Sequence, residues 1–427
     1  MLADKTIERN PEMLEAAIEL HQSGLIPAPT HMIDLDVVAE NARVLAEAAK
    51  SCGLRVFVMT KQDGHEPHMT RLALDRGLDA VVAVEAIQAH RIHRYGFPLG
   101  HIGHLSNVPR HQIPAILAME PEFVTVYTYE AAKAISEVAT ELGREQSLYV
   151  VTTNYGDEGT YDEMIGGWTE ETCVDGVRPL LDLPNVRVAG LTQHVTIDYV
   201  SQDDAHSAKP TEGFFTTLRA KEKLEQELGL EDLRINCAGN ANAVTMPILA
   251  GYGATDVEPG AALTGSAKFH AVQDMPEKPA HVLVSEATHT WRGDALVVGG
   301  GFSFVWDFNE TPERFRGLFG RTLEEAKANQ LVFKGPPWVD FHGVFDCEGR
   351  EPTFGDTLLF CHLSQAFVER GYVAAVSGIS EGKPRLRGLF DNACNMLDEE
   401  FNPIALEEAM ESIEQVSREY AEAAIQA

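Results

Sequence analysis

The chain repeats one unit: between about Pro27 and Gly265, short runs rich in β-branched residues alternate with amphipathic helical stretches. That alternation produces parallel strands joined by crossover helices. After an opening segment at His31–Leu35 and a helical stretch that stops at Gly53, the strand-like runs are LRVFVMTK, AVVAVE, HIGHLS, FVTVYT, LYVVTT, VRVAGLTQH, LRINCAG and TDVEPG. Eight such units over this length fit a TIM-type (β/α)8 barrel, whose chemistry sits at the C-terminal ends of the strands. A doubly wound open sheet is the alternative. Helical stretches such as Glu130–Gly143 and Phe214–Gly229 end on glycines suited to a left-handed cap.

Beyond about His270 the texture changes to short runs such as HVLVSEATH, DALVVGGGF, DTLLF and YVAAVSGI, broken by Gly, Pro and Asp. This predicts a mostly β second domain. The expected organisation is a helical extension over residues 1–28, a barrel over 29–268, a C-terminal β domain over 269–392 and a closing helix over 393–427.

Composition narrows the function. In 427 residues, 34 basic and 65 acidic side chains leave a formal charge of −31, the wrong sign for binding nucleic acid or an anionic membrane through bulk attraction. No apolar run reaches transmembrane length, and the acidic opening does not resemble a signal peptide. A soluble cytoplasmic protein is expected. Six cysteines without a CxxC pair predict reduced thiols rather than a disulfide framework or a zinc knuckle.

Polar groups at the strand ends are the candidate site. Lys61 ends the first run, where a partly buried amine can lose its proton and attack carbonyl carbon. His194 ends the sixth, and an imidazole there can act as a base, a metal ligand, a flat surface for an aromatic cofactor or a core residue. The seventh and eighth runs end in NCAGNANA and DVEPGAALTG, whose small residues expose backbone N–H groups where barrels often bind phosphate. Glu258 is out of place beside an anion unless it faces something positive, such as a protonated ring nitrogen.

In order and spacing these residues resemble the fold-type III pyridoxal-phosphate enzymes, the group of alanine racemase and the basic amino acid decarboxylases, over about Pro29–Phe390. The chain is most similar to a bacterial branch of alanine racemase-like proteins. The resemblance implies a barrel, a C-terminal β domain and a head-to-tail homodimer in which each second domain contributes to the partner's site. It assigns Lys61, in MTKQDGH, to the Schiff base with pyridoxal phosphate, and His194, in GLTQHVTID, to the face of the cofactor ring. Asn240 falls where the racemases have a phosphate-binding serine, and Gly260 and Ala261 match residues whose amides hold that phosphate. His65 stands in place of a tyrosine and could donate to the phosphate; Phe367 stands near another phosphate-binding tyrosine position and could not.

Glu258 departs from the racemase arginine and resembles the decarboxylase acid that keeps the ring nitrogen protonated. The racemase tyrosine of the second domain is also missing, with Val297 and Val298 in its stretch. His289 and Cys347 are the substitutes for a second proton carrier, the latter in a Cys-Glu pair resembling the decarboxylase Cys-Asp.

The expected activity is therefore racemisation or epimerisation of a small amino acid substrate, with no metal required. The alternatives are decarboxylation of a basic amino acid, although Ala261 replaces the arginine of the decarboxylase EPGR motif, and aldol cleavage or dehydration of a D-hydroxy amino acid. That last chemistry needs a metal held by His and Cys in the second domain, and adjacent Cys361-His362 is a poor spacing for it. A non-enzymatic cofactor carrier is disfavoured because such relatives lack the second domain.

Overall fold

The computed structural model describes residues 1–153, 165–202, 205–302, 315–363, 366 and 370–426. Phe367 lies outside the described residues. The chain divides into two compact units, Leu45–Met59 with Gly77–Gly260, and Met1–Val44 with Thr60–Arg76 and Ala261–Ala427.

The first strand, β1 (Thr30–Asp34), belongs to the second of these units. The eight expected runs become β2 (Arg55–Met59), β3 (Ala80–Ala83), β4 (Leu99–Ile102), β5 (Phe123–Val126), β6 (Gln146–Val151), β7 (Val186–His194), β10 (Arg234–Ala238) and β11 (Asp256–Glu258). They close into a parallel barrel in the order β10-β11-β2-β3-β4-β5-β6-β7, and an open sheet is ruled out. A hairpin that the sequence did not announce, β8 (Ile197–Gln202) and β9 (Ala205–Pro210), follows β7.

Helices between the strands are capped as expected. Thr128 and Thr211 accept the amides of Ala131 and Phe214 through their hydroxyls, and the helix Glu212–Leu228 ends on Gly229 at φ 66°.

Side chains alternate across each barrel strand, so Asp256 and Glu258 share the inward face. Low in the barrel, the Tyr149 hydroxyl donates to Asp256, which also pairs with Arg234. Phe123 stacks on Tyr149 with ring centroids 4.3 Å apart. Phe57, Met59, Val82 and Ala189 complete that packed layer. The walls leave no room for larger side chains at β7, where a Cβ on Gly190 would lie 2.3 Å from the Arg234 carbonyl oxygen. Gly190→Ala is expected to cost at least about 1–3 kcal/mol, because backbone must move to relieve the clash; urea denaturation measures it, and an unchanged midpoint would contradict the packing.

The second unit is built on a ten-stranded sheet. After β1 its strands are β12 (His281–Ser285), β13 (Ala287–Trp291), β14 (Asp294–Val298), β15 (Arg316–Gly320), β16 (Gln330–Phe333), β17 (His342–Asp346), β18 (Thr357–Phe360), β19 (Tyr372–Ser377) and β20 (Arg385–Phe390). The order is β13-β14-β17-β16-β15-β18-β12-β1-β19-β20. β1 runs antiparallel to β12 and parallel to β19, so a segment from the start of the chain is locked between strands from its end. One face buries Met32, Val282, Leu359 and Ala374 against the helix Pro11–Gln22. A second apolar cluster gathers Phe302, Phe315, Phe333, Phe345 and Phe360. None of the described helices is long and apolar enough to cross a membrane.

Candidate functional site

The barrel strands deliver their polar residues at the C-terminal ends. Glu258, the last residue of β11, is fully enclosed, with 0% of its side chain exposed. His101, on β4, places Nδ1 2.5 Å from Glu258 Oε1 and Nε2 against the Thr125 hydroxyl. Asn236 on β10 donates through Nδ2 to the same Glu258 oxygen at 2.8 Å and to Thr192. His104, just beyond β4, sets Nδ1 2.6 Å from Glu258 Oε2. This last approach is a charge contact rather than an aligned hydrogen bond. Burial alone would raise the Glu258 pKa, but His104 and His101 overcome it and hold the carboxyl well below the ordinary glutamate range.

His194, ending β7, meets His104 edge to face at 5.4 Å. The two imidazoles line a cleft with Tyr127, Thr152 and Thr192. Gly239 supports His194 from behind: at φ 85°, a Cβ there would lie 3.2 Å from the ring. Asn240 follows at φ 56°. Its side-chain amide donates to the Ile197 carbonyl at 3.1 Å. Gly260 follows Glu258 by two residues, and Met59 donates its amide to Pro259, setting the end of β2 beside the end of β11. Thus His194, Asn240 and Glu258 are carried on one barrel rim.

Lys61 comes two residues after Met59 and begins the short 3-10 helix Lys61–Asp63. It, His65 and Ala261 fall in the second unit. His65 is buried at φ 61° and pairs Nδ1 with the Thr60 hydroxyl at 3.0 Å. Asp63 is 1% exposed, and neither carboxylate oxygen accepts a hydrogen bond among the described residues. Burial pushes its pKa up to about 7, with nearby His31 opposing and Glu66 reinforcing the shift.

A carboxyl whose native pKa is raised costs stability as it ionises. Stability should therefore fall as pH rises from about 4 to 7, by about 4 kcal/mol in total. Asp63→Asn is expected to remove that fall, as read from denaturation midpoints at pH 5 and pH 8; parallel losses in both proteins would show that Asp63 is not its source.

The two candidates for a second proton carrier sit in different settings. His289 lies exposed on β13, edge to face with His342 at 6.1 Å. Cys347 is buried in the phenylalanine cluster, where burial pushes its thiol up to about 11. Val297 is buried and Val298 half-buried on β14. Cys361 packs in the apolar core, whereas His362 turns Nε2 to the Gly301 carbonyl at 3.1 Å.

His101 and His104 are the residues that sequence reasoning missed. The signal was present in HIGHLS, two histidines three apart at a strand end. With Glu258 they also form the one histidine–carboxylate set among the described residues compact enough to suit a metal ion. Their closest approaches of 2.5 and 2.6 Å are direct contacts. Ligands sharing one ion at about 2.1 Å and a tetrahedral angle sit roughly 3.4 Å apart.

The donor set fits pyridoxal phosphate on the barrel's own geometry: a buried acid of lowered pKa for a ring nitrogen, an imidazole on a cleft wall for a ring face, and turns of small residues after β10 and β11 for a phosphate. Comparisons with known proteins point the same way. Residues 33–268 match the model of the alanine racemase N-terminal domain, and residues 282–386 match the YhfX-like C-terminal domain. The uncharacterised protein YhfX of Escherichia coli is 29% identical over 397 residues, 93% of this chain and 100% of its own length. An alanine racemase of Clostridium tetani is 27% identical over 221 residues, 51% of this chain and 53% of that protein.

Among solved structures, D-threonine aldolase from Filomicrobium marinum superposes with a TM-score of 0.62 at 16% identity, covering 86% of this chain and 95% of that one. Alanine racemase from Clostridium difficile gives 0.58 at 16%, covering 85% and 98%. At such identities these two likenesses speak for the fold alone. Since the racemase-domain model spans more than half of the sequence, the chain belongs to the alanine racemase-like family of fold-type III enzymes, whose members use pyridoxal phosphate.

Proposed function

We propose that this protein is a pyridoxal-phosphate-dependent enzyme that removes and returns the α-proton of an amino acid, and so racemises or epimerises it. The observation that carries this reading is the enclosed Glu258 at the end of β11, whose pKa is held low by two imidazoles and an amide and which pairs with no lysine or arginine among the described residues. Bound over it, the cofactor would supply an electron sink for the pair left when a bond at the α-carbon breaks.

The chain's own residues do the rest. Glu258 takes the ring N–H as a hydrogen-bond acceptor. His194, braced by Gly239, offers its flat face to the ring. The main-chain amides of Asn240, Gly260 and Ala261, with His65, bind the phosphate. Lys61 would hold the cofactor through Nζ and, when free, would take and return the α-proton at that nitrogen. His289, exposed on β13, is our candidate to serve the opposite face, from the partner in a head-to-tail homodimer. Cys347 could do so only after the cluster around it opens.

Decarboxylation of a basic amino acid remains the second reading, because the same acid favours it. The deciding experiment is a screen of single L- and D-amino acids with the holoprotein in deuterated water. Deuterium at the α-carbon together with loss of optical rotation is expected. Released carbon dioxide would move the assignment to decarboxylation, ammonia or an aldehyde would move it to lyase chemistry, and no exchange with any amino acid would overturn the proposal.

A further inference from the structure

We propose that His101 and His104 are positioning residues that keep the enclosed Glu258 ionised, so that an aromatic nitrogen docked against it, rather than the carboxyl, carries the shared proton. The inference rests on the cofactor reading above and adds to it the two residues that decide the charge at the ring nitrogen.

The argument begins with what a carboxylate in that position needs. Removing a carboxylate from water costs several kcal/mol unless charge or hydrogen bonds replace the solvent, and otherwise the group takes up a proton. A neutral carboxylic acid facing a pyridine nitrogen would donate a hydrogen bond to it and leave the ring uncharged. An ionised carboxylate accepts from a protonated ring instead, and the pyridinium is the stronger electron sink. The geometry selects the second arrangement. Oε1 is approached by His101 Nδ1 at 2.5 Å and by Asn236 Nδ2 at 2.8 Å, and Oε2 by His104 Nδ1 at 2.6 Å.

The other ionisable groups around this carboxyl do not do the same work. Asp256, one pleat repeat earlier on β11, is committed to Arg234 and to the Tyr149 hydroxyl. Cys237, on the neighbouring strand, is buried with its thiol held protonated by desolvation. The two histidines also differ from each other. His101 is anchored at its far nitrogen by Thr125. His104 lies beyond the strand end, lines the cleft with His194, and meets Oε2 without hydrogen-bond alignment. In this proposal Oε2 is the oxygen that a ring nitrogen would take. The proton balance would close with one proton on the His104–Glu258 pair: a neutral ring docked there would take that proton, leaving a neutral imidazole, a carboxylate and a pyridinium.

Two measurements test this, the first without any cofactor. In protein labelled with carboxyl-13C glutamate, the Glu258 signal is identified by its loss in Glu258→Gln. It is expected to stay in the ionised position across the pH range of the folded parent protein. In His101→Asn/His104→Asn its titration midpoint should rise by about 1–3 units for each opposing charge removed. Should the double variant fail to fold, His104→Asn alone is expected to show the smaller rise. A signal that does not shift in the folded variant overturns the proposal.

The second uses pyridoxal phosphate labelled with 15N in the ring. The bound nitrogen should be protonated in the parent at pH 8 and shift toward the neutral position in His104→Asn, with borohydride-trapped cofactor still present on Lys61. An unprotonated ring in the parent also overturns the proposal. If no cofactor attaches to the parent protein, the cofactor reading fails, while the carboxyl titration still decides whether the histidines ionise Glu258.

Discussion

Replacing Lys61 by alanine is expected to lower α-proton exchange by at least about 10²–10⁴-fold, the usual contribution of a positioned proton-transfer group, and to abolish borohydride-trapped cofactor. Under the proposed function the two readouts would fail together, because one nitrogen would perform both tasks. Lys61→Arg should be nearly as poor, since a guanidinium keeps its charge and is neither a nucleophile nor a base near neutral pH. Both variants should fold, because Lys61 is only half-buried at the start of a three-residue helix outside the packed barrel interior. A folded Lys61→Ala protein with undiminished exchange would remove this amine from the chemistry.

Glu258→Gln is expected to have the next largest effect, a loss of roughly 10²–10³-fold in turnover, comparable to deleting a single electrostatic contact made to developing charge. The amide replaces an acceptor pair with one oxygen and one NH2 group, which would face either His104 or the clustered His101 and Asn236 with the wrong polarity. The variant should also change the acid limb of stability. A carboxyl held below its ordinary pKa contributes stability that is fully present above the unfolded glutamate value near 4.3 and is lost as pH falls toward the native value. The parent should therefore weaken below about pH 4 in a way that Glu258→Gln does not share. Full activity in the glutamine variant would show that ring-nitrogen charge is not controlled there.

The barrel was legible because each strand announces itself by a β-branched run and the helices between them by their periodicity, two of them closed by Gly143 and Gly229. His194 and Glu258 could be read together because strand ends in a parallel barrel collect at one rim. What could not be read was pairing across long stretches of chain. β1 sits 250 residues from its partner in β12, and nothing local in HMIDL says that it joins a sheet built mainly from the last third of the sequence. The same limit hid His101, whose partner Glu258 is 157 residues away. HIGHLS shows two histidines, but only barrel closure brings β4 and β11 to face one another. Cys347 illustrates the opposite case: its neighbours in sequence suggested a proton donor, whereas its burial in a cluster rich in phenylalanine is a property of the folded sheet.

The most direct test of the account is to add pyridoxal phosphate to the purified chain, reduce with borohydride, digest, and weigh the peptide containing MTKQDGH. The expected result is a stoichiometric mass increase equal to one reduced cofactor on Lys61, absent from Lys61→Ala. An unmodified peptide, or cofactor attached at some other lysine of the folded protein, would contradict it.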